Sequence, residues 1–390
     1  LTKSSARHLL IFENRTEGHH LHWLRYIAED FLSIGSQVTL ALDYRPEKQN
    51  RIHSHLLGLT EKVSMISVYD TVGAVRGGSI VNTVAACLED SDADEVFMNN
   101  VDEIASGCLR RAAVGIDPPG VLRGRLSGVY FRPRFLADPF WPPGNIVKGS
   151  GFRKLTRKGW FDKIYLMDEY LLEAARHRYP GQNFFFLPDP WDGTLLADKA
   201  DARQKLRIPQ DRFVFLCFGI GDRRKGLHLA VRALMEPSVD PRLHLLCAGS
   251  LAPDPETSRG LVTLKEQGRA TVLDRYVSES EQSLCFAASD VVLLPYIEHF
   301  GSSGVLSLAS AAGRMVIASD EGLLARRIKE HHLGWVFPSG DAQALKTSMR
   351  NAAFLNSNER VQFQQAAHRY AGTCSREAFR KALLAPFVEG

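Results

Sequence analysis

Short apolar runs recur along the chain with helically spaced stretches between them. The first is His8 to Phe12, followed by a helical pattern from about His20 to Leu32, then Gly35 and a second apolar run at Gln37 to Leu42. That order reads as a strand, a crossover helix and a parallel strand. The alternation is less regular through Val63 to Val68, Glu95 to Met98 and Gly128 to Phe131, and resumes with Lys163 to Met167 and a helix at Glu169 to Arg178. It restarts after Pro188-Asp189-Pro190-Trp191-Asp192 and a polar stretch, Asp198 to Gln204. Strands are then predicted at Phe213 to Phe218, Leu243 to Cys247, Ala270 to Leu273, Val291 to Leu294 and Met315 to Ala318. Helices are predicted at Leu227 to Met235, Glu279 to Ala288 and Val305 to Ala312, and successive helices from Asp341 onward. Strands that are apolar at nearly every position suit a parallel sheet covered on both faces.

The expected fold class is therefore α/β, with two Rossmann-like, doubly wound lobes facing a central cleft where ligands meet the carboxyl ends of the strands. Composition agrees. With 390 residues, the chain exceeds one ordinary core at about 150 residues per domain, and 45% hydrophobic with 24% charged residues suits packed domains. No apolar run approaches the roughly 18 residues of a membrane span. The start of the sequence lacks the apolar centre of a signal peptide. The six cysteines form no C-x-x-C pair, so buried reduced thiols are expected, in a cytoplasmic protein.

Two loops carry candidate chemistry. Gly219-Ile220-Gly221-Asp222-Arg223-Arg224-Lys225-Gly226 follows the first strand of the second lobe. Arg224 stands where a dinucleotide fingerprint needs its third glycine, and Gly226-Leu227-His228 does not complete a P-loop. The loop delivers three cations to the start of a helix, a position that favours anions through its free N–H groups. The other loop, Pro295 to Gly304, contains Glu298-His299-Phe300-Gly301-Ser302-Ser303-Gly304 and leads into an alanine-rich helix. Gly-Ser-Ser-Gly presents consecutive N–H groups and two hydroxyls, the makings of an anion nest; a plain helix cap is the other reading. On one parallel sheet both loops open on the same edge, where Lys225, Arg224 and the nest would hold a diphosphate.

From about Arg212 to Gly340 the chain resembles the donor-binding lobe of GT-B glycosyltransferases of family 4. The likeness rests on Phe218-Gly219 to Lys225-Gly226, on Ala287-Ala288-Ser289-Asp290 running into Val291 to Pro295, and on Glu298-His299-Phe300-Gly301 leading to Ala312-Gly313-Arg314-Met315-Val316. The first lobe is similar through Gly18-His19-His20. The resemblance implies a retaining, metal-independent hexosyl transfer from a nucleoside diphosphate-sugar to an acceptor hydroxyl, as in cell-surface polysaccharide or glycolipid synthesis, with no tightly bound cofactor. It implies catalytic roles for Lys225, Arg224 and Glu298, and donor contacts at Gly219, Gly221, Phe300, Gly301, Ser302, Ser303 and Gly304. Gly18, His19 and His20 would meet the acceptor or a phosphate. It also implies an acceptor lobe over residues 1–191, a donor lobe over 192–372 and a last helix, 373–390, crossing back to the first lobe. Leu308 occupies the place of the family's second glutamate. A sugar phosphorylase, a nucleotide-sugar epimerase and a catalytically silent scaffold remain open as alternatives on the same architecture.

Charge is unevenly distributed. The net charge is +4, yet from Gly107 to Trp160 there are 11 basic and two acidic residues, a balance of +9 against −5 elsewhere. Tyr130, Phe131, Phe135, Phe140, Trp141, Phe152 and Trp160 are interleaved with these cations. The mixture suits an anionic membrane surface or a lipid-linked acceptor, placing the protein peripherally at the inner membrane face, or else a solvated loop that balances acidic surface. No nucleic-acid module accompanies it, so no nucleic-acid partner is expected. Asp90-Ser91-Asp92 and Asp92-Ala93-Asp94 read as a solvated acidic turn, and no metal site is expected.

Overall fold

The computed structural model describes residues 7–16, 20–70, 73–193, 195, 197–237 and 239–388. They divide into two compact units: residues up to Leu187 together with those from Arg380 onward, and Pro188–Phe379.

The first unit is built on seven strands: β1 His8–Glu13, β2 Gln37–Leu42, β3 Ser64–Ser67, β4 Glu95–Met98, β5 Leu126–Tyr130, β6 Phe161–Leu166 and β7 Asn183–Phe186. They pair in parallel in the order β3-β2-β1-β4-β5-β6-β7. The second unit has six: β8 Phe213–Phe218, β9 Leu243–Gly249, β10 Ala270–Asp274, β11 Val291–Leu294, β12 Met315–Ser319 and β13 Gly334–Phe337. Their order is β10-β9-β8-β11-β12-β13, again parallel. Each sheet reverses its winding once, between β1 and β4 and between β8 and β11. At such a switch point adjacent loops diverge and leave a crevice at the carboxyl edge.

Side-chain alternation explains the all-apolar strands. In the second sheet Val214, Leu216, Leu246, Val292, Leu294 and Val316 join one core, while Phe215, Leu245, Cys247, Val291, Leu293 and Ile317 join another on the opposite face. Both faces are covered by helices, so neither set of positions tolerates polar residues. All six cysteines are free thiols and five are buried.

Several elements depart from the sequence reading. Asp198 to Gln204 is not a polar connection but the helix Lys199–Lys205, capped by the Asp198 carboxylate, which accepts from Ala200 and Asp201 N–H. Its polarity is that of a short helix with one buried side. The edge strands β7 and β13 escape a reading based on apolar runs. The basic segment is not a solvated loop. It contains β5 and the helices Arg134–Ala137 and Gly144–Arg157, and Tyr130, Phe135, Phe152 and Trp160 are core residues of the first unit. Phe140 and Trp141 remain outside, 76% and 70% exposed. Among the described residues, no helix is long and apolar enough to cross a membrane.

The last helix, Arg376–Val388, begins in the second unit, and its residues from Arg380 belong to the first. There the Tyr165 hydroxyl donates to the Leu383 carbonyl at 2.7 Å, and Phe387 meets Phe31 edge-on at 4.8 Å. Leu383 is fully buried. Truncating it to alanine removes three buried carbon atoms and leaves a cavity, and Leu383→Ala is expected to cost the first unit roughly 2–5 kcal/mol. Denaturant unfolding of the full chain measures this, and a loss under about 0.5 kcal/mol contradicts the packing described.

Candidate active site

β8 and β11 are neighbours on either side of the winding switch, so the loops that follow them rise from the same edge. After β8, the N–H groups of Gly219 and Gly221 donate to the Ala248 and Ser250 carbonyls, which ties this loop to the one after β9. The three cations do not sit on the long helix itself. Arg223–Lys225 form a separate 3₁₀ turn, whose Lys225 N–H is capped by the Asp222 carboxylate at 2.8 Å. Gly226 then turns left-handed at φ +72°, and the helix Leu227–Met235 starts after it. The sequence pattern placed the cations in a loop ahead of a helix at Leu227 to Met235; the 3₁₀ turn within that loop is what it did not show.

That glycine also lets the two loops touch. A Cβ on Gly226 would lie 1.8 Å from the Pro295 carbonyl oxygen, so any side chain there forces the loops apart. Next to it, Ile297 N–H donates to the Arg224 carbonyl at 2.8 Å. Lys225 Nζ lies 3.8 Å from the centre of the buried Tyr296 ring, a cation–π contact that holds the ammonium in place. The Arg224 guanidinium reaches His299 Nδ1 at 3.4 Å, while His299 Nε2 is 3.1 Å from the Ser302 carbonyl. A guanidinium only donates and a carbonyl only accepts, so His299 is neutral with its proton on Nε2.

The second loop is held in an uncommon shape. Glu298 is left-handed at φ +51°, a cost for a residue with a side chain, and its N–H is fixed by the Glu321 carboxylate at 2.9 Å. Its own side chain is exposed. Phe300, half exposed, passes Gly322 so closely that a Cβ there would sit 2.7 Å from the Phe300 Cα. The serine hydroxyls face the protein. Ser302 Oγ donates to Asp189 Oδ2 at 3.1 Å and accepts from buried Arg327 at 2.8 Å, and Ser303 Oγ lies 3.4 Å from the Tyr296 hydroxyl. The helix begins at Gly304, one residue before the expected start, and Ser303 makes no side-chain cap. Among the described residues, none of the backbone N–H groups from Gly301 to Val305 has a protein acceptor. An anion bound at this loop would therefore meet backbone donors, with the serine hydroxyls serving as the loop's anchor.

Leu308 packs against the apolar core of this face, and Ser307, one residue earlier, donates to the Asp189 carbonyl at 2.7 Å. Asp189, Arg327, Tyr296 and Glu321 are parts of the site that the sequence reading did not select. Asp189 looks like linker between two prolines, and Arg327 like one cation among several on an amphipathic helix. Only their meeting at Ser302 distinguishes them. In the first unit, His20 opens the helix His20–Ser33 with Nδ1 2.8 Å from the Glu13 carboxylate. Gly18 and His19 lie outside the described residues.

Residues 198–370 match the model of the family described as glycosyl transferases, group 1. The chain is a glycosyltransferase, and its group 1 match lies within the second unit. No curated protein sequence matches it. Among solved structures, sucrose-phosphate synthase from Thermosynechococcus elongatus is similar at 16% identity and TM-score 0.70, covering 98% of each chain. HepE from Anabaena, solved with UDP and glucose, is similar at 14% identity and TM-score 0.70, covering 98% of this chain and all of that one. WaaG, a glycosyltransferase involved in lipopolysaccharide biosynthesis, is similar at 15% identity and TM-score 0.65, over 97% and 98% of the two chains. Identities this low establish the fold, which is GT-B.

Within this glycosyltransferase, loss of hydration pushes the Asp189 carboxyl up to about 6, against the Ser302 hydrogen bond and the fields of Arg327 and Lys225. A folded-state value above the ordinary one means the native protein binds more proton between about pH 4 and 6, so this group's contribution to stability falls as pH rises through that window. Asp189→Asn removes the dependence. The difference in denaturation midpoint between variant and wild type should move in the variant's favour from pH 4 to pH 7, and a constant difference contradicts the assignment.

Proposed function

We propose that this glycosyltransferase moves a sugar from a uridine diphosphate-sugar to a hydroxyl of a saccharide or lipid-linked acceptor, with retention at the anomeric carbon and without a divalent metal. One observation carries the reading: the Arg223–Lys225 turn is fastened to the loop from Pro295 to His299, which leads into a run of backbone donors, Gly301 to Val305, at the winding switch of the second sheet. The uridine base is supported by the UDP and UDP-glucose bound to HepE. Retention is supported by the likeness of Glu298 to Gly301 to the family's signature.

The chemistry follows from charge. The bond between the anomeric carbon and the diphosphate oxygen breaks, the acceptor oxygen bonds to that carbon, and the hydroxyl proton passes to the departing diphosphate. Negative charge grows on the leaving group while the sugar becomes oxocarbenium-like. Fixed cations and N–H donors aimed at the leaving phosphate stabilise the transition state more than the ground state. Lys225, steadied by Tyr296, and Arg224, steadied by His299, take that role with the Gly301–Val305 amides. In this reading Glu298, whose side chain is exposed, bonds donor-sugar hydroxyls.

The exposed Phe140 and Trp141, with Ile146 and Val147 beside them and Arg132, Arg134, Lys148 and Arg153 nearby in sequence, support a second element of the proposal: peripheral attachment to an anionic membrane carrying the acceptor. Each cation near such a surface contributes on the order of 1 kcal/mol, and burying the two aromatics adds about 1.5–3 kcal/mol apiece.

Lys225→Ala is expected to lower turnover of a UDP-sugar by about 10²- to 10³-fold, in assays where EDTA leaves the wild-type rate unchanged. Near-normal turnover in the variant, or loss of wild-type activity with EDTA, contradicts the mechanism. Donor turnover without any acceptor would indicate an epimerase, and dependence on inorganic phosphate a phosphorylase. For the membrane, cosedimentation with phosphatidylglycerol vesicles should weaken as salt rises and fall at least tenfold in the Phe140→Ala, Trp141→Ala double variant. Equal sedimentation of variant and wild type would remove that part.

A further inference from the structure

Asp189 anchors the loop that carries the unpaired amides of the second unit. Its carbonyl accepts the Ser307 hydroxyl at 2.7 Å, and its Oδ2 accepts the Ser302 hydroxyl at 3.1 Å. Ser302 Oγ accepts in turn from the Arg327 guanidinium at 2.8 Å, so the hydroxyl stands between cation and carboxylate. Among the described residues, the only hydrogen bond of the carboxylate is the one at Oδ2. The other oxygen, Oδ1, lies 3.5 Å from the point where a Cβ on Gly304 would stand.

Gly304 opens the helix Gly304–Ala311, and its N–H is one of those without a protein acceptor. A carboxylate oxygen and an anion held by these amides are therefore neighbours. Two negative charges so placed are not both ionised without a large penalty, and the group that can take a proton takes it. The charged groups that face Asp189 from other elements are Arg327, on the helix Gly322–Glu330, and Lys225, on the 3₁₀ turn. Both favour the carboxylate, yet desolvation outweighs them and pushes the carboxyl up to about 6. An anion at the amides would also neutralise part of the Lys225 field that now favours ionisation.

We propose that Asp189 takes up a proton when a phosphate-type anion binds at the Gly301–Val305 amides, so that donor affinity is linked to the charge of this carboxyl. One proton passes from solvent to Oδ1 on binding and returns when the anion leaves. Protonated Oδ1 can donate to the anion, while Oδ2 continues to accept from Ser302 and the loop keeps its anchor. The bound carboxyl titrates at higher pH than the free one. Affinity is therefore greatest below the free value and falls as pH rises through the window between the two. The inference rests on the donor reading only in taking the anion to be the donor diphosphate.

The probes are UDP-glucose and inorganic sulfate, since neither carries the phosphomonoester proton that titrates at about pH 6. Titration calorimetry of the full chain in buffers of different ionisation enthalpy should show about 0.5–1 proton taken up per anion at pH 7, falling towards zero at pH 5. Affinity should weaken about tenfold from pH 5.5 to pH 7.5. Asp189→Asn keeps an oxygen that accepts from Ser302. It should take up less than about 0.2 proton and bind with an affinity constant within about twofold over the same range. His299, whose Nε2 faces the Ser302 carbonyl, is the other nearby group able to gain a proton, and uptake that persists in Asp189→Asn would belong to it and overturn the proposal. Asp189→Ser replaces that variant if it does not fold. UDP-glucose binding without proton uptake in the wild type also defeats the proposal and leaves the donor reading standing. Sulfate binding with uptake, but no binding of UDP-glucose, upholds the proposal and removes the uridine donor. Binding of neither anion removes both.

Discussion

The contact between the Gly226 backbone and the Pro295 carbonyl is the constraint on which the second unit's site depends. Loops at the edge of a parallel sheet normally diverge at a winding switch, which is why a crevice forms there. Here two of them are brought back into contact over one residue without a side chain, and the Ile297 to Arg224 hydrogen bond fastens the junction. Lys225 and Arg224 are thereby fixed against Tyr296 and His299, in the loop that leads to the Gly301–Val305 amides, instead of ranging through solvent. Fixed charge is the useful kind, since a cation already in position need not be reorganised as the leaving group charges up.

Holding that arrangement has costs that the surroundings meet. Glu298 keeps a left-handed backbone because Glu321 takes its N–H and Gly322 leaves room for Phe300. Asp189, partly desolvated and near the proposed anion site, is a carboxylate where negative charge is unwelcome; Ser302, Arg327 and Lys225 partly offset this. The serines that look like phosphate ligands in the sequence are spent on this support, and the backbone they steady is left to face the ligand. The first unit shows the same economy in another form. Glu13 is surrounded by donors, and the acceptor that remains, Asn99 Oδ1, has nothing to bond.

Legibility in the sequence followed burial. Strands such as Phe213 to Phe218 and Val291 to Leu294 are buried on both faces and were readable as apolar runs. Helices whose apolar side is narrow, such as Lys199–Lys205, were not. Cations were visible as a run at 223–225, but the run did not show that Lys225 rests on Tyr296 or that Arg224 reaches His299, because those pairs are separated by about seventy residues. The aromatics between Gly107 and Trp160 looked alike in sequence; packing assigned Tyr130, Phe135, Phe152 and Trp160 to the core and left Phe140 and Trp141 at the surface.

The sequence by itself determined two parallel α/β sheets, the family likeness of the second, and which loops carry cations and glycines, because these depend on local period and composition. Tertiary structure alone decided which donors remain unpaired, which carboxylates are desolvated and which way Asn99 presents its amide. Hydrogen bonds and burial are properties of neighbours, and at these sites the neighbours come from strands and loops far apart in the chain.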